Sequence, residues 1–251
     1  MQRHVLSFSS ALVFALASAE AGAAINLDFN SLPSAQGWSY IGLNTSAPNE
    51  SSVFSVSGGV LTQNTIGVVS YAPSSNRYNL FDALTPGLDY TLEVRAQLFQ
   101  EQVYDANNHW AFGAGFFDGT GHAYGFSLGD AGVKTDWGYY AGVDTHVTHT
   151  YRLVSHATGV NAGSAELWID GAFISSGNVG NYGSCAPLGN LCNSVYLGDG
   201  TSGPNASGNY YSFSMAPVPE ADSYALMLLG IGLVGFIARR RNANLPGKLP
   251  A

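Results

Sequence analysis

One short motif in the chain could supply a catalytic nucleophile. Residues 125–129 read Gly-Phe-Ser-Leu-Gly, the G-x-S-x-G pattern in which a sharp strand-to-helix turn exposes the serine hydroxyl. From Tyr124 to Gly129, however, apolar and small residues alternate as they do in a strand, and no helical pattern follows. We therefore expect Ser127 to be an ordinary strand residue.

Carboxylate pairs are the second candidate for catalysis. Glycoside hydrolysis requires two carboxylates about 5 to 10 Å apart across a cleft. The closest pair on one predicted strand face is Glu166 and Asp170, and four residues of strand separate them by about 13 Å. Carboxylates from different strands could still converge. We nevertheless predict a protein that is not an enzyme, with a glycoside hydrolase as the third alternative.

Oxygen-bearing side chains suggest a possible calcium site. Asp105 and Asn107 fall in one loop and Asp199 in another, and calcium takes six to eight oxygen ligands. The alternative is that these residues simply form turns. A transition-metal site is disfavoured, because His146 and His149 would point to opposite faces of a strand.

Three aromatic residues are candidates for binding a sugar ring. Trp168 falls between two carboxylates on the polar face of a predicted strand, and Trp137 and Tyr139 flank a glycine. Aromatic faces suit sugar rings, and carboxylates suit their hydroxyls. Each of the three could equally belong to the core of a second sheet layer.

The first 23 residues have the three-part layout of a secretory signal peptide. Arg3 gives the start a positive charge, residues 5–17 are apolar and small, and Ala21-Gly22-Ala23 supplies a cleavage pattern. The mature chain is expected to begin at residue 24.

The C-terminal end carries a short hydrophobic segment. Residues 223–238 are 16 residues without a charge, followed by Arg239, Arg240 and Arg241. A helix of this length is about 24 Å long, shorter than the hydrocarbon core of a bilayer, and the arginines should remain cytoplasmic. We expect a transmembrane helix at 223–238 that holds an exported domain at the inner membrane.

Pro219 and Glu220 precede the hydrophobic segment and the arginine cluster within residues 217–241. This order of features resembles the PEP-CTERM sorting signal of bacterial envelope proteins. The resemblance implies that a membrane-embedded exosortase recognises this motif and cuts near it. Two features depart from the pattern: Ala221 replaces the second proline, and a polar tail follows at 242–251.

The composition excludes several classes of protein. Hydrophobic residues make up 46% of the 251 residues and charged residues 10%, which indicates a folded chain. Residues 25–218 contain fourteen acidic and four basic residues, a net charge of −10. Because binding to a phosphate backbone needs clustered Lys and Arg, nucleic acid is not an expected partner.

Two cysteines are present, Cys185 and Cys192, separated by a loop that contains proline and glycine. In an exported chain, such a close pair is typical of a disulfide. With no third cysteine to complete a metal site, we expect this pair to be oxidised.

The segment 24–216 alternates apolar and polar residues in short runs throughout. The clearest runs are 90–98 and 165–174, where Asp170-Gly171 marks a hairpin turn. Further predicted strands cover 53–56, 60–63, 66–71, 110–117, 123–128, 137–140, 147–155, 195–197 and 210–215. This pattern predicts an all-β, two-sheet antiparallel sandwich.

In the second half of this segment, a Tyr-Arg-Leu strand at 151–153 precedes a Leu-Trp-Ile-Asp-Gly hairpin at 167–171. This order resembles the concanavalin A-like, laminin-G-type jelly roll. The resemblance implies a jelly-roll sandwich with a concave sheet that often binds glycans or proteins, sometimes with calcium.

These features together predict an exported protein of the cell surface or extracellular matrix. The setting implied by the sorting signal is an envelope rich in extracellular polysaccharide, in which the domain would be structural or adhesive. The alternative is a carbohydrate-binding, lectin-like module.

Overall fold

The computed structural model describes residues 23–42, 49–67, 76–103, 109–157, 162–183, 185, 189–200 and 204–218, together with the single residues 229 and 232. These residues form one α-helical turn, α1 (Glu50–Val53), two 3-10 helical turns at Pro33–Gln36 and Gly189–Leu191, and sixteen strands. In chain order the strands are β1 (Ile25–Leu27), β2 (Ser39–Gly42), β3 (Phe54–Ser57), β4 (Val60–Asn64), β5 (Asn76–Phe81), β6 (Tyr90–Gln102), β7 (Gly113–Asp118), β8 (His122–Gly129), β9 (Gly132–Thr135), β10 (Gly138–Ala141), β11 (His149–His156), β12 (Ser164–Ile169), β13 (Ala172–Asn178), β14 (Gly180–Asn181), β15 (Asn193–Gly198) and β16 (Asn205–Pro217).

The strands form two eight-stranded antiparallel sheets. Sheet I has the order β13-β12-β11-β6-β16-β4-β3, with β1 added beside β16. Sheet II has the order β10-β9-β8-β7-β15-β5-β2, with β14 added beside β8. Among the described strands, the chain changes sheet along β1-β2-β3, β4-β5-β6-β7, β10-β11, β13-β14 and β15-β16. The predicted all-β jelly-roll sandwich is confirmed.

The core lies between the two sheets and follows the period-two pattern of the sequence. In β6, Tyr90, Leu92 and Val94 are buried, whereas Glu93 and Arg95 are exposed. Because successive strand residues point to opposite faces, one face of each sheet enters the core and the other faces outward. The largest core side chains are aromatic, among them Tyr78, Tyr90, Phe112, Phe116, Tyr124, Phe126, Tyr151, Tyr210 and Phe213.

The predicted hairpin between β12 and β13 is present. Asp170 and Gly171 have φ values of 50° and 80°, the left-handed pair that a two-residue turn between twisted strands requires. Ile169 pairs with Ala172 across the turn, and Trp168 pairs with Phe173.

The structure differs from the sequence prediction in several places, and the strands β1, β2, β9 and β14 were not predicted. The strand β5, Asn76–Phe81, was not predicted, because its polar residues are buried and do not alternate with apolar ones. Ile66 and Gly67 lie in a turn after β4, so no strand begins at residue 66, and residues 68–71 lie outside the described part. The helical turn α1 was also not predicted.

Candidate functional site

A cleft of about 230 Å³ lies on the outer face of sheet II. It is positioned by strand alternation: Ala114 and Phe116 of β7 enter the core, whereas Gly113 and Phe117 line the cleft. Its lining residues come from β5, β7, β8 and β15 and from the segments around them. They are Arg77, Trp110, Gly113, Phe117, Ala123, Tyr124, Phe126, Ser127, Asp136, Tyr182, Tyr196, Gly198 and Gly200.

Three glycines of β7 and β8 underlie this cleft: Gly113 lines it, whereas Gly115 and Gly125 lie beneath Tyr196. Gly113 and Gly115 of β7 lie beside Gly125 of β8, and we call these three residues the glycine floor. A Cβ atom at Gly115 or Gly125 would lie 2.5 or 2.3 Å from the Tyr196 hydroxyl oxygen. The ring of Tyr196 can therefore reach across both strands because these positions have no side chain.

Aromatic rings surround the floor. Phe117 lies 6.2 Å from the Tyr196 ring and 6.3 Å from the Tyr182 ring, measured between centroids. Phe117 is mostly buried, whereas Tyr182 is 50% exposed at the mouth. The cleft thus presents apolar ring surface to solvent at its rim.

Arg77 of β5 is the cation of the cleft. Its guanidinium carbon lies 5.4 Å from the centroid of the Tyr196 ring, in cation–π geometry. The residue is only 7% exposed. Burial lowers the pKa of the Arg77 guanidinium, while Tyr196 and the buried Asp199 oppose that shift.

Asp136 is the single carboxylate among the described residues that line the cleft. Although its side chain remains exposed, the atoms packed around the carboxyl raise its pKa, and the Gly180 N–H and Lys134 partly offset this. One carboxylate cannot supply the acid and base pair of a glycosidase.

Ser127 lines the cleft but is not arranged as a nucleophile. It is buried within β8, where the carbonyl oxygens of His109 and Phe112 both lie within reach of its single O–H donor. The strand continues to Gly129 and turns into β9, so the strand-to-helix elbow of a serine hydrolase is not formed here.

Trp137 and Tyr139, proposed from sequence as sugar-binding residues, lie at the β10 end of sheet II and outside the cleft lining. Trp137 packs on Gly177 and donates its indole N–H to Ser175 Oγ at 3.1 Å, which ties the edges of the two sheets together. Tyr139 stacks on His109 at 4.9 Å. The contacts of Trp137 favour the alternative that it packs between the sheets and does not bind a sugar.

Trp168, the third aromatic candidate, lies on the outer face of sheet I. Arg152 stacks on its ring at 4.6 Å, and Phe173 contacts its edge at 5.3 Å. Its indole N–H donates to Glu166 at 2.9 Å. The structure therefore separates Trp168 from Trp137 and Tyr139, and does not assemble the three into one site.

The histidines of the described segments each lie beside a carboxylate. The pairs are His109 with Glu101, His122 with Asp118, His146 with Asp130, His149 with Asp170, and His156 with Asp89 and Glu166. Burial raises the pKa of Glu101, and the hydrogen bond from His109 opposes that shift. These contacts tie neighbouring strands and loops together.

Nothing in the described segments brings three or more His, Cys, Asp or Glu side chains together as a metal site. Of the calcium candidates, Asp105 and Asn107 lie outside the described residues. Asp199 is fully buried behind the cleft, where its backbone N–H donates to the Asn76 carbonyl at 3.0 Å. The calcium hypothesis therefore rests on the sequence alone.

Cys185 and Cys192 form the predicted disulfide, with their Cα atoms 5.1 Å apart. The bond closes a loop within the connection between Tyr182 and Tyr196, both of which line the cleft. It therefore restrains the segment that carries part of the cleft wall.

We predict that thiol labelling of the exported native protein will find no free cysteine. Replacing both cysteines by serine should lower the free energy of unfolding by about 2 kcal/mol, because the unfolded loop is no longer restricted. Chemical denaturation followed by tryptophan fluorescence measures this loss. Two reactive thiols in the native protein would contradict the assignment.

Sequence reasoning missed the residues that make the cleft. Arg77 lies in an unpredicted strand, Tyr182 follows the two-residue strand β14, and Tyr196 was known only as a strand residue. The available signal was the small-residue face of residues 125–129, which marks a strand surface left open for a neighbour. This small-residue face contributes to the cleft only because Gly113 and Gly115 of β7 pair with it in β8.

The predicted targeting segments fall largely outside the described residues. These are the signal peptide at 1–23, of which only residue 23 is described, the sorting residues Pro219, Glu220, Ala221, Arg239, Arg240 and Arg241, and the tail at 242–251. The helix predicted at 223–238 is described only at Leu229 and Gly232. Within the described part of the chain, no helix is long and apolar enough to cross a membrane.

Solved structures with a similar backbone cover most of this chain at low sequence identity. An endo-1,3-beta-glucanase from Streptomyces sioyaensis is 13% identical, with a TM-score of 0.46, over 78% of this chain and 96% of that one. The alginate lyase Aly36B is 13% identical, with a TM-score of 0.47 and the same coverage. A Bacillus licheniformis beta-glucanase is 12% identical, with a TM-score of 0.44, over 79% and 99% of the two chains. At this level they say nothing about the ligand of this chain.

Sequence comparison identifies the C-terminal segment. No curated protein matches the chain significantly. A family model described as the PEP-CTERM protein-sorting motif matches residues 217–241, the range in which the sequence had predicted it. The chain therefore carries a PEP-CTERM sorting motif, the mark of exported proteins that are processed at the membrane and destined for the cell surface or extracellular matrix.

Proposed function

We propose that the exported domain is a non-catalytic adhesive module that holds polysaccharide in the cleft of sheet II. The observation that carries this proposal is an open cleft lined by the aromatic rings of Phe117, Tyr182 and Tyr196. Aromatic side chains give a sugar ring a flat apolar partner. Because Gly115 and Gly125 have no side chains, the Tyr196 ring lies over the sheet and is itself part of the surface that a sugar ring would meet.

The charge pattern supports binding over hydrolysis. Among the described residues, Asp136 is the one carboxylate that lines the cleft, whereas hydrolysis of a glycosidic bond needs two. The other pair considered from sequence is far from it: Glu166 lies on the outer face of sheet I beside Trp168, and Asp170 lies in the hairpin turn. A module that binds without turnover suits a surface or matrix location.

A defined-sugar lectin is the second candidate, favoured by the modest size of the cleft. A cleft of about 230 Å³ accommodates one or two sugar rings better than a long chain. A lectin and an adhesive module differ in the ligand that fills the cleft. Saturable binding of a defined short oligosaccharide would favour the lectin, whereas binding only to polymer would favour the adhesive role.

The test compares two exposed aromatic residues on opposite faces. Tyr182 at the cleft mouth is 50% exposed, and Phe173 on the outer face of sheet I is 52% exposed. Either can be changed to alanine with little effect on the core. Affinity gel electrophoresis of the full-length chain in mild detergent, with laminarin, dextran and polygalacturonate as probes, measures binding.

We expect Tyr182→Ala to weaken binding to the retained polysaccharide about tenfold, equivalent to about 1.4 kcal/mol. Phe173→Ala should leave retention unchanged, and no reducing ends should accumulate with either protein. Loss of binding in Phe173→Ala alone would move the site to sheet I. Release of reducing ends that depends on Asp136 would establish an enzyme instead.

A further inference from the structure

Arg77 is a buried cation for which the described structure supplies no hydrogen-bond acceptor. Its Nε atom is buried without a partner. No described carboxylate lies within the 4.0 Å of an ion pair with it. Its contact is the face of the Tyr196 ring. Asp199 acts on it electrostatically over a longer distance.

Such an arrangement is costly unless a ligand completes it. A charged group removed from water loses several kcal/mol of hydration, which a folded protein ordinarily recovers through hydrogen bonds. Here the residue is 7% exposed, yet it lines an open cleft. The Nε atom itself is buried, so a ligand in the cleft would reach the guanidinium through its terminal nitrogen atoms.

The other three basic residues of residues 25–218 are arranged differently. Arg95 and Arg152 belong to sheet I, where they stack on Tyr211 and Trp168. Lys134 lies on β9 beside Asp136 and acts on that carboxylate. Among them Arg77 alone lines the cleft.

We propose that the cleft binds an acidic sugar, with Arg77 pairing with the carboxylate of a uronic acid residue. This inference rests on the proposed function, because it names the class of polysaccharide that the cleft takes. The planar guanidinium matches a carboxylate with two parallel hydrogen bonds. Tyr182 would lie at the mouth to contact the sugar ring.

The net charge of −10 over residues 25–218 favours a short oligosaccharide as the ligand in the binding experiment. A long polyanion is repelled by the domain over a Debye length of about 10 Å at 0.1 M salt. A short oligosaccharide meets less of this repulsion. We therefore choose trigalacturonate, with its methyl ester as a neutral ligand of the same shape and a sulfated neutral trisaccharide as a different anion.

The test measures binding of these three probes to the full-length chain in mild detergent by isothermal titration calorimetry. Wild type should bind trigalacturonate at least tenfold more tightly than the ester or the sulfated sugar. Arg77→Met should reduce trigalacturonate affinity at least tenfold and leave ester affinity unchanged. Arg77→Lys keeps the charge but loses the planar fork, so its trigalacturonate affinity should lie between those of wild type and Arg77→Met.

Thermal stability gives a second readout that a structural role would not produce. If Arg77 is held unpaired for a ligand, Arg77→Met should keep or raise the melting temperature, because it removes a buried charge. A fall of the melting temperature in both Arg77→Met and Arg77→Lys would assign Arg77 to the fold and overturn the proposal.

The outcomes separate this inference from the proposed function. Equal affinity for trigalacturonate and its ester, with loss of both in Tyr182→Ala, would retain a glycan-binding cleft but overturn the acidic ligand. Preference for the sulfated sugar would also overturn it. Failure of all three probes and of the polysaccharides above would remove the proposed function itself.

Discussion

Replacing Gly113 by alanine is expected to lower the free energy of unfolding by about 3 kcal/mol, the upper end of what overpacking usually costs. An added Cβ would lie 2.1 Å from the Phe126 carbonyl oxygen and 2.9 Å from the Ser127 Cα atom. Both obstacles are backbone atoms of β8, the strand paired with β7. They cannot rotate away, so the two strands must separate locally.

The matched control is Gly180→Ala, in the strand on the other side of β8. Gly180 pairs with Ala123, and a Cβ there would lie 3.7 Å from the Ala123 Cβ and from Asp136 Oδ2. These are ordinary contacts, so we expect a change within about 0.5 kcal/mol. Urea denaturation followed by tryptophan fluorescence compares the two variants. Equal stability of the two would mean that the glycine floor is not closely packed.

A third variant separates backbone obstruction from side-chain obstruction. In Gly125→Ala the nearest atom is the Tyr196 hydroxyl oxygen at 2.3 Å, and the next contacts lie at 3.4 Å. Removing that hydroxyl with Tyr196→Phe should therefore restore most of the stability lost in Gly125→Ala. The same substitution should not rescue Gly113→Ala. This coupling in a double-mutant cycle would locate Tyr196 on the floor.

The sandwich could be predicted because its strands obey simple alternation. Residues 90–98 and 165–169 place apolar side chains at every second position, and the structure buries those residues. The Asp170-Gly171 turn and the disulfide between Cys185 and Cys192 follow from equally local rules. Local rules of this kind are independent of the order of strands in a sheet.

The cleft could not be predicted, because it arises from the order of strands. β5, β7 and β15 are far apart in sequence, and only the pairing β7-β15-β5 brings Arg77 close to Gly113 and Tyr196. The buried polar residues of β5 also contradict the expectation that polar strand residues face solvent. Such conflicts between local pattern and burial concentrate at functional sites.

The aromatic candidates illustrate the same limit from the other side. Trp137 and Tyr139 are two residues apart and suggested one shared surface. Trp137, however, precedes β10 and packs against Gly177 of the opposite sheet, whereas Tyr139 lies in β10 and stacks on His109. The spacing of two residues predicts that they share a face of the sheet only when both residues lie in the same strand.

Replacing Glu220 by alanine is expected to leave export intact and to block removal of the C-terminal segment. Export is expected to depend on the signal peptide predicted at residues 1–23, whereas processing is expected to depend on the PEP-CTERM motif matched at residues 217–241. Glu220 is the one charged residue of its Pro-Glu step, so alanine removes the group that a processing enzyme can recognise by charge. Mass spectrometry of the mature C-terminus and fractionation of membrane and surface proteins measure both effects.

Two nearby substitutions make this experiment specific. Asp222→Ala removes a carboxylate two residues away and should leave processing unchanged, which controls for charge alone. Ala221→Pro completes the usual Pro-Glu-Pro order and should speed processing, since Ala221 is the position at which this motif departs from that order. Normal removal of the segment from Glu220→Ala would show that Glu220 is not recognised. An equal block in Asp222→Ala would show that negative charge near the membrane, and not the motif, controls processing.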